Sequence, residues 1–251
     1  MEALSTPREW FREWFDSPYY HKLYFERNDK EASDFIDRLL VLLQPSPGSV
    51  MLDVACGRGR HARFLAAKDF DVTGIDLAPD SIAFARQFEN DHLHFFVHDM
   101  RQLLCTNYFD YAFNFFTSFG YFDTRRENLN VLRMVHSALR PNGVFMLDYL
   151  NAQHIMPRLV PNETKTIGQT VYTITRRCDG KHFYKRIHIE DPSLKQPLGY
   201  TEKVAVITLE DFKSMLEAVG LRIRKVYGDY ALNPYDKDQS PRLILVTEKN
   251  V

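Results

Sequence analysis

The feature that most constrains the fold of this chain is a regular alternation between residues 50 and 150. Short apolar runs, typical of buried strands, alternate there with amphipathic runs that are typical of helices. The strand patterns lie at 50–55, 71–76, 93–99, 109–116 and 144–150, and the helix patterns lie at 60–68, 79–88 and 126–140. Alternation of this kind predicts parallel β-α-β units with right-handed crossovers. The expected fold class is therefore α/β, with an open, doubly wound sheet.

The segments on either side of this alternation extend the expected domain. Helix patterns precede it at 7–15 and 31–44. The chain ends with two strand patterns whose connecting loop contains proline and is too short for a helical crossover, so these strands should be antiparallel. The predicted divisions are N-terminal helices at 1–47, a main domain at 48–151 and 207–251, and a β-rich insertion at 152–206.

The insertion contains a hairpin signal, Asp179-Gly180, between two β-rich runs. A two-residue turn at this dipeptide predicts that Cys178 pairs with Lys181. One face of the hairpin would be polar and cationic, with Arg186 on it, and it has two interpretations: a roof over a substrate pocket that selects an anionic small molecule, or a solvated outer surface. The opposite, apolar face would collect Tyr172, Ile174, Phe183 and Ile187.

Composition and charge argue against several classes of protein. With 45% hydrophobic and 26% charged residues among 251, the chain has an ordinary globular composition. Its 32 basic and 33 acidic side chains give a net charge of −1, which does not favour a dedicated nucleic-acid-binding protein. No apolar run reaches the ~18 residues of a membrane span, and the first residues do not resemble a signal peptide. We therefore expect a cytoplasmic protein that does not associate with membranes, with Cys56, Cys105 and Cys178 as reduced thiols.

The loop after the first strand of the alternation is rich in small residues. It reads GRGRHA from Gly57 to Ala62 and fits the pattern G-x-G-x-x-[GA]. In an open α/β sheet, ligands bind beyond the carboxyl ends of the strands, so this loop is the expected site. Asp76 ends the second strand 19 residues beyond Gly57, where a carboxylate can accept hydrogen bonds from both hydroxyls of a ribose. Taken alone, these features are also typical of nicotinamide dinucleotide sites.

Two further acids move the interpretation away from a dinucleotide. Asp53 stands four residues before Gly57, so that a carboxylate faces the glycine loop. A carboxylate suits a cationic ligand there and suits a pyrophosphate poorly. Asp99 ends the third strand and could accept a hydrogen bond from an adenine amino group.

At this point the sequence resembles the class I S-adenosylmethionine-dependent methyltransferases of the small-molecule type. VMLDVACGRGR, VTGIDLA and FFVHDM are similar to the first three motifs of that family, and the resemblance is specific over 49–150. It implies a Rossmann-like, seven-stranded methyltransferase sheet with an antiparallel last strand, plus a small antiparallel β insertion. It also implies that S-adenosylmethionine is the cofactor and that the N-terminal helices cover its site.

Carried over residue by residue, the resemblance implies a cofactor site built from three loops. The methionine moiety would be held by Asp53 and by the backbone of Ala55, Cys56, Gly57 and Gly59, the ribose by Asp76, and the adenine by Leu77, Asp99 and Met100. Ala55 is a departure, since many family members have glycine there. Tyr24 and Arg27 precede the domain, and an arginine in that segment could pair with the methionine carboxylate, although a plain surface helix is an equal alternative.

The acceptor side of the expected site is less specific in sequence. The aromatic run at 113–122 follows the fourth strand, and it contains Phe115, expected near the cofactor, and Tyr121, expected near the acceptor. Tyr149 is another expected acceptor contact, and Tyr121, Tyr149 and His154 are the candidate bases if the acceptor loses a proton. No metal is expected, because His92, His94 and His98 lie along one strand and would not converge on a single ion.

The leading functional hypothesis is methyl transfer from S-adenosylmethionine to a small-molecule acceptor by in-line displacement. An RNA or protein methyltransferase and a nicotinamide-dependent oxidoreductase are the alternatives, and a non-catalytic cofactor-binding module is a further one.

Overall fold

The computed structural model describes residues 9–24 and 29–250. The helices are α1 (Trp10–Asp16), α2 (Pro18–Leu23), α3 (Asp29–Leu43), α4 (Arg60–Ala66), α5 (Pro79–Ala85), α6 (Arg125–Ala138), α7 (Ala152–Ile155) and α8 (Leu209–Glu217). The strands are β1 (Val50–Val54), β2 (Asp71–Asp76), β3 (Leu93–Val97), β4 (Phe109–Asn114), β5 (Leu139–Leu150), β6 (Asn162–Ile167), β7 (Thr170–Cys178), β8 (His182–Glu190), β9 (Leu198–Ala205), β10 (Leu221–Tyr227) and β11 (Arg242–Lys249).

Seven strands form the main sheet, in the order β10-β11-β5-β4-β1-β2-β3. β1 pairs in parallel with both β2 and β4, whereas β11 pairs antiparallel with β5 and with β10. The chain winds outward from β1 to β3 and then returns to β4, so the strand order switches between β1 and β4. This topology confirms the predicted doubly wound sheet with an antiparallel last strand, and it places the loops after β1 and β4 where α/β sheets bind their ligands.

Helices cover both faces of the main sheet and form two apolar cores. One core contains α3 and α4 side chains such as Phe35 and Leu65, packed on Met51 and Phe95 of the sheet. The other core combines α1, α6 and α8 with inward-facing residues of the insertion.

Local signals in the sequence explain several helix ends. Pro79 opens α5, where its missing N–H costs nothing. Thr124 and Glu127 form a capping box at the start of α6. Thr208 and Asp211 form the capping box of α8, so the segment TLED at 208–211 marks the start of this helix, as the spacing of Thr and Asp indicates. No helix within 9–24 or 29–250 has the length and apolar character needed to cross a bilayer.

The insertion is a four-stranded antiparallel sheet in the order β6-β7-β8-β9. The hairpin register predicted from Asp179-Gly180 is wrong by two residues, because Cys178 pairs with Phe183 and not with Lys181. The turn falls on Gly180 and Lys181, closed by a 3.2 Å hydrogen bond from Asp179 N to His182 O. Gly180 has φ +87°, while Lys181 lies outside the left-handed region. The turn is therefore the two-residue type with glycine at its first position, and not the type that an Asp-Gly pair favours. A shift of two residues leaves the faces unchanged, and the predicted apolar face is buried.

The buried face of the insertion packs on the N-terminal helices. The Trp14 and Tyr200 rings lie 4.7 Å apart, and Trp14 Nε1 donates to Glu202 at 2.7 Å. Tyr172 donates from its hydroxyl to the carbonyl of Tyr19 at 3.1 Å. Two elements here were not predicted, α2 and β6, since α2 is only six residues long and β6 has an exposed, polar sequence.

Candidate active site

The loop between β1 and α4 turns through three residues in the left-handed region. Ala55 has φ +59°, Gly57 has φ +55° and Gly59 has φ +75°. An added Cβ on Gly57 would meet nothing within 4 Å, whereas one on Gly59 would come within 2.5 Å of the Phe95 ring. Gly57 therefore keeps the loop backbone open towards a ligand, and Gly59 lets α4 pack on β3. Ala55 adopts here the conformation that favours glycine, at a cost of about 1–2 kcal/mol.

Asp76 lies at the end of β2, directly beside this loop. Its carboxylate accepts hydrogen bonds from Gly57 N at 2.8 Å and from Ala78 N at 2.9 Å. Burial raises the pKa of Asp76, and the backbone hydrogen bonds act in the opposite direction. The side chain is thus fixed in orientation and lines the cavity in front of the loop.

Asp53, at the end of β1, is a buried carboxyl with an unused acceptor. Its side chain is 1% exposed, and Oδ2 has no hydrogen-bond partner among residues 9–24 and 29–250. Burial raises the pKa of Asp53 to about 8, and the nearby Asp76 also raises it, against a backbone hydrogen bond from Ala62. An uncompensated buried carboxyl of this kind is stabilised by a cation.

Two adjoining cavities open from the loop. The larger has a volume of about 680 Å³ and the smaller about 50 Å³. Both are lined by Phe15, Ala55, Asp76 and Tyr121. Since Asp76 and the glycine loop lie at their junction, one elongated ligand can reach into both cavities.

The smaller cavity brings together the predicted adenine contacts Leu77, Asp99 and Met100, covered by Phe11 of α1. Asp99 Oδ2 accepts from Arg101 Nη2 at 2.7 Å. Burial acts to raise the pKa of Asp99, but the hydrogen bonds from Arg101 outweigh it, so the net shift is downward. Arg101 also contacts Glu9 and Glu127, each at 3.0 Å, and so ties this cavity to α1 and α6.

The larger cavity is lined by Cys56 and Gly57 of the loop and by Phe115 after β4. Aromatic residues of the N-terminal helices, among them Tyr24, form its other wall. Burial raises the pKa of the Cys56 thiol, which favours its neutral form.

Comparison with known proteins identifies the family. A family model described as a methyltransferase domain matches residues 24–226 of this chain. The chain belongs to that methyltransferase family. The YqeM protein of Bacillus subtilis, which is described as a methyltransferase, is 25% identical over 215 residues, covering 82% of this chain and 86% of the relative.

Two further comparisons agree on activity and fold. An N,N-dimethyltransferase of dTDP-3-amino-3,4,6-trideoxy-α-D-glucopyranose from Streptomyces venezuelae is 26% identical over 208 residues, covering 79% of this chain and 85% of the relative. An S-adenosylmethionine-dependent methyltransferase from Clostridium acetobutylicum has the same fold, with a TM-score of 0.78, 19% identity and coverage of 93% and 97% of the two chains. The chain is thus a methyltransferase with the fold of an S-adenosylmethionine-dependent methyltransferase, and S-adenosylmethionine is the cofactor that the motifs indicate.

The residues present suit this cofactor. The methionine moiety carries an ammonium group, and Asp53 holds a buried carboxyl with an unused acceptor at the end of β1, although Asp53 itself is not among the residues that line the two cavities. The ribose hydroxyls and the adenine amino group require acceptors, which Asp76 and Asp99 supply at the ends of adjacent strands. An aromatic wall in the larger cavity suits an electron-deficient sulfonium centre.

Several predicted site residues do not line either cavity of this methyltransferase. Tyr149 is fully buried, and its hydroxyl donates to the carbonyl of Ala205 at 2.6 Å. Arg186 is exposed on the face of the insertion opposite to the one that packs on the helices, and His154 lies against the carbonyl of Asp238. The structure therefore brings none of these three to the site. The insertion supports the N-terminal helices, and those helices line the cavity. Arg27 falls outside the described residues.

A buried acid that sequence reasoning missed shapes the wall after β4. Asp148 is 0% exposed and accepts from Phe116 N at 2.8 Å and from Arg242 Nε at 2.8 Å. Phe116 and Thr117 are both left-handed, with φ +54° and +63°, and Phe116 lines the larger cavity. The signal was available: Asp148 is the only acid in the apolar strand VFMLDYL. Strained backbone at a cavity wall is typical of functional sites.

The three histidines of the third strand pattern belong to no metal-ligating cluster among the described residues. Within the described ranges, no three His, Cys, Asp or Glu side chains lie close enough to hold a metal ion. His98 instead contacts the carbonyl of Gln102 at 3.1 Å.

Proposed function

We propose that this methyltransferase transfers a methyl group to a small molecule that occupies the larger cavity. The observation that carries the proposal is the continuity of that cavity, which joins the glycine loop and Asp76 to an aromatic wall from α1, α2 and the β4 loop. At about 680 Å³ it lies in the size range of small-molecule sites, with room for part of the cofactor and an acceptor side by side.

S-adenosylmethionine, when bound, supplies a methyl group on a positively charged sulfur. The chain's own contribution is to position the reactants, and good alignment can supply about 7–11 kcal/mol of the barrier. Phe115 and Phe116 form one side of the cavity, and His61 stacks on both, with ring centroids 4.3 and 5.1 Å away. This rigid stack and the clamp by Asp148 hold the acceptor wall in place.

Of the three candidate bases, only Tyr121 faces the cavities. Its ring packs against Trp10 and Phe15, at centroid distances of 5.5 and 5.2 Å. An acceptor amine in its neutral form needs no strong base, and the relative from Streptomyces venezuelae is an N,N-dimethyltransferase of an amino sugar. We therefore include amine nitrogens, among them those of nucleotide-linked amino sugars, in the proposed acceptor class.

The test is a screen for labelled methyl transfer from S-adenosylmethionine to pooled metabolites and nucleotide-linked amino sugars, with the product identified by mass. We expect a small product that is one methyl group heavier than its acceptor, and much less product with the Asp76→Ala variant at the same subsaturating cofactor concentration. Label that appears only in added RNA or protein would contradict the small-molecule proposal.

A further inference from the structure

The larger cavity carries an excess of positive charge. Its lining includes the arginines Arg58, Arg60 and Arg63, and a single carboxylate, Asp76. That carboxylate already accepts hydrogen bonds from Gly57 N and Ala78 N. The cavity is therefore cationic although the whole chain has a net charge of −1.

Two of these arginines, Arg58 and Arg63, form what we call the arginine pair. In the part of the chain that the structure describes, neither of them makes an ion pair or a side-chain hydrogen bond. Each lies over an aromatic ring instead: Arg58 Cζ is 4.7 Å from the Phe84 centroid, and Arg63 Cζ is 3.6 Å from the Phe88 centroid.

Stacking of this kind prepares a guanidinium to bind an anion. The ring covers the flat face of the group and restricts its motion, while the N–H donors at its edge stay available. Two N–H donors in a fixed fork match the oxygens of a phosphate or carboxylate. Part of the conformational entropy of the two arginine side chains is thus lost before an anion binds, so binding costs less entropy.

Neighbouring groups offset only part of this charge. The charge of Asp16 acts on Arg58 without forming an ion pair with it, and Asp16 Oδ1 accepts hydrogen bonds from Asp80 N at 3.1 Å and from Ser81 N at 3.3 Å. Burial, and then the charge of Arg58, lower the pKa of the cavity residue His21 to about 4, so its ring is neutral near pH 7.

We propose that the arginine pair binds an anionic group, a phosphate or a carboxylate, carried by the methyl acceptor. The inference rests on the proposed function, because it places the acceptor in the larger cavity. It moves anion selection from Arg186 on the insertion to the rim of the glycine loop. The acceptor would then be held by its charged end at this rim, with its nucleophilic atom directed towards the aromatic wall.

The experiment uses the full chain saturated with S-adenosylhomocysteine and titrated with inorganic pyrophosphate or malonate by calorimetry. The variants are Arg58→Ala/Arg63→Ala and, as a matched control, Arg186→Ala, which removes an arginine that is also exposed but lies outside the cavity. We expect at least one anion to bind the wild-type complex, the double variant to weaken it by about tenfold or more, and Arg186→Ala to leave it unchanged. Whichever anion binds identifies the group as phosphate-like or carboxylate.

Three outcomes would overturn the inference: neither anion binds the wild-type complex, the double variant binds as well as wild type, or the double variant loses affinity for S-adenosylhomocysteine. The last result would assign the pair to the cofactor's own carboxylate. Failure of wild type to bind S-adenosylhomocysteine would instead count against the proposed function. Thermal unfolding should be nearly the same for all variants, because exposed arginines contribute little to stability.

Discussion

At the scale of single residues, Asp76 is the side chain on which cofactor binding should depend most. We expect Asp76→Ala to raise the Kd for S-adenosylhomocysteine by at least about 100-fold, because two hydrogen bonds to a charged acceptor are lost, each worth about 1.5–3 kcal/mol. Asp71→Ala, at the other end of β2, is the matched control and should bind normally. Calorimetry measures both. Normal binding by Asp76→Ala would mean that the ribose lies elsewhere.

Asp53 predicts a proton linkage. Its pKa of about 8 means that the carboxyl of the folded, ligand-free chain holds a proton near pH 7, whereas an unfolded Asp loses it near 3.8. This group therefore stabilises the ligand-free fold at low pH, and that contribution is lost as the pH rises towards 8. An ammonium group favours the ionised carboxylate, so cofactor binding near pH 6.5 should release close to one proton.

Titration of S-adenosylhomocysteine in buffers of different ionisation enthalpy measures that release, and affinity should rise with pH below about 8. The Asp53→Asn variant is the control, since its side chain cannot titrate. If wild type and this variant exchange the same number of protons, Asp53 does not meet the ammonium group.

At the scale of elements, replacing Gly57 or Gly59 by alanine should lower the free energy of unfolding by different amounts. Both are left-handed, so alanine costs each about 1–2 kcal/mol. Only at Gly59 would the new Cβ also collide with Phe95, which adds about 1–3 kcal/mol of overpacking between α4 and β3. Urea unfolding should therefore show a larger loss for Gly59→Ala than for Gly57→Ala. Equal losses would show that α4 moves freely on the sheet.

The contact between the insertion and the N-terminal helices gives a second prediction for elements. Glu202 accepts from Trp14 Nε1 at 2.7 Å and from Tyr24 Oη at 3.0 Å, and its side chain is 15% exposed. Glu202→Ala should lower the free energy of unfolding by about 1–3 kcal/mol and weaken cofactor binding, because α1 covers the smaller cavity. Glu190→Ala, on the outer face of the same sheet, should change neither by a measurable amount. Identical behaviour of the two variants would remove the insertion from the support of the site.

The main sheet could be predicted from the sequence because each of its elements has a periodic pattern and a clear boundary. The glycine loop, Asp76 and Asp99 follow from the rule that strand ends carry the site. The hairpin register could not be predicted from the sequence, because a turn at Asp179-Gly180 and a turn one residue later at Gly180-Lys181 bury the same faces of the hairpin.

Arg186 and Tyr149 were assigned to the site from the sequence, but neither lines a cavity, for a related reason. Sequence periodicity shows which side chains lie on the same face of a strand, but tertiary packing determines which part of the molecule contacts that face. Asp148 is a long-range clamp between β5 and the β4 loop, which local patterns do not encode.

At the scale of the whole molecule, the N-terminal helices lie between the cavities and the insertion. Phe15 of α1 lines both cavities, while Trp14 of the same helix packs on the insertion. Helix α1 therefore contacts both the cavities and the insertion, so a change in the insertion can reach the cofactor site through this helix. S-adenosylhomocysteine should raise the Tm of the whole chain, because it binds the folded chain and does not bind the unfolded chain.

We infer that the loop from Asp53 to Gly59, with Asp76, binds the S-adenosyl group and not a nicotinamide dinucleotide. The most direct measurement is a pair of calorimetric titrations of the wild-type chain, one with S-adenosylhomocysteine and one with NADH. We expect a Kd in the micromolar range for S-adenosylhomocysteine and no binding heat for NADH. Tight binding of NADH together with no response to S-adenosylhomocysteine would contradict it.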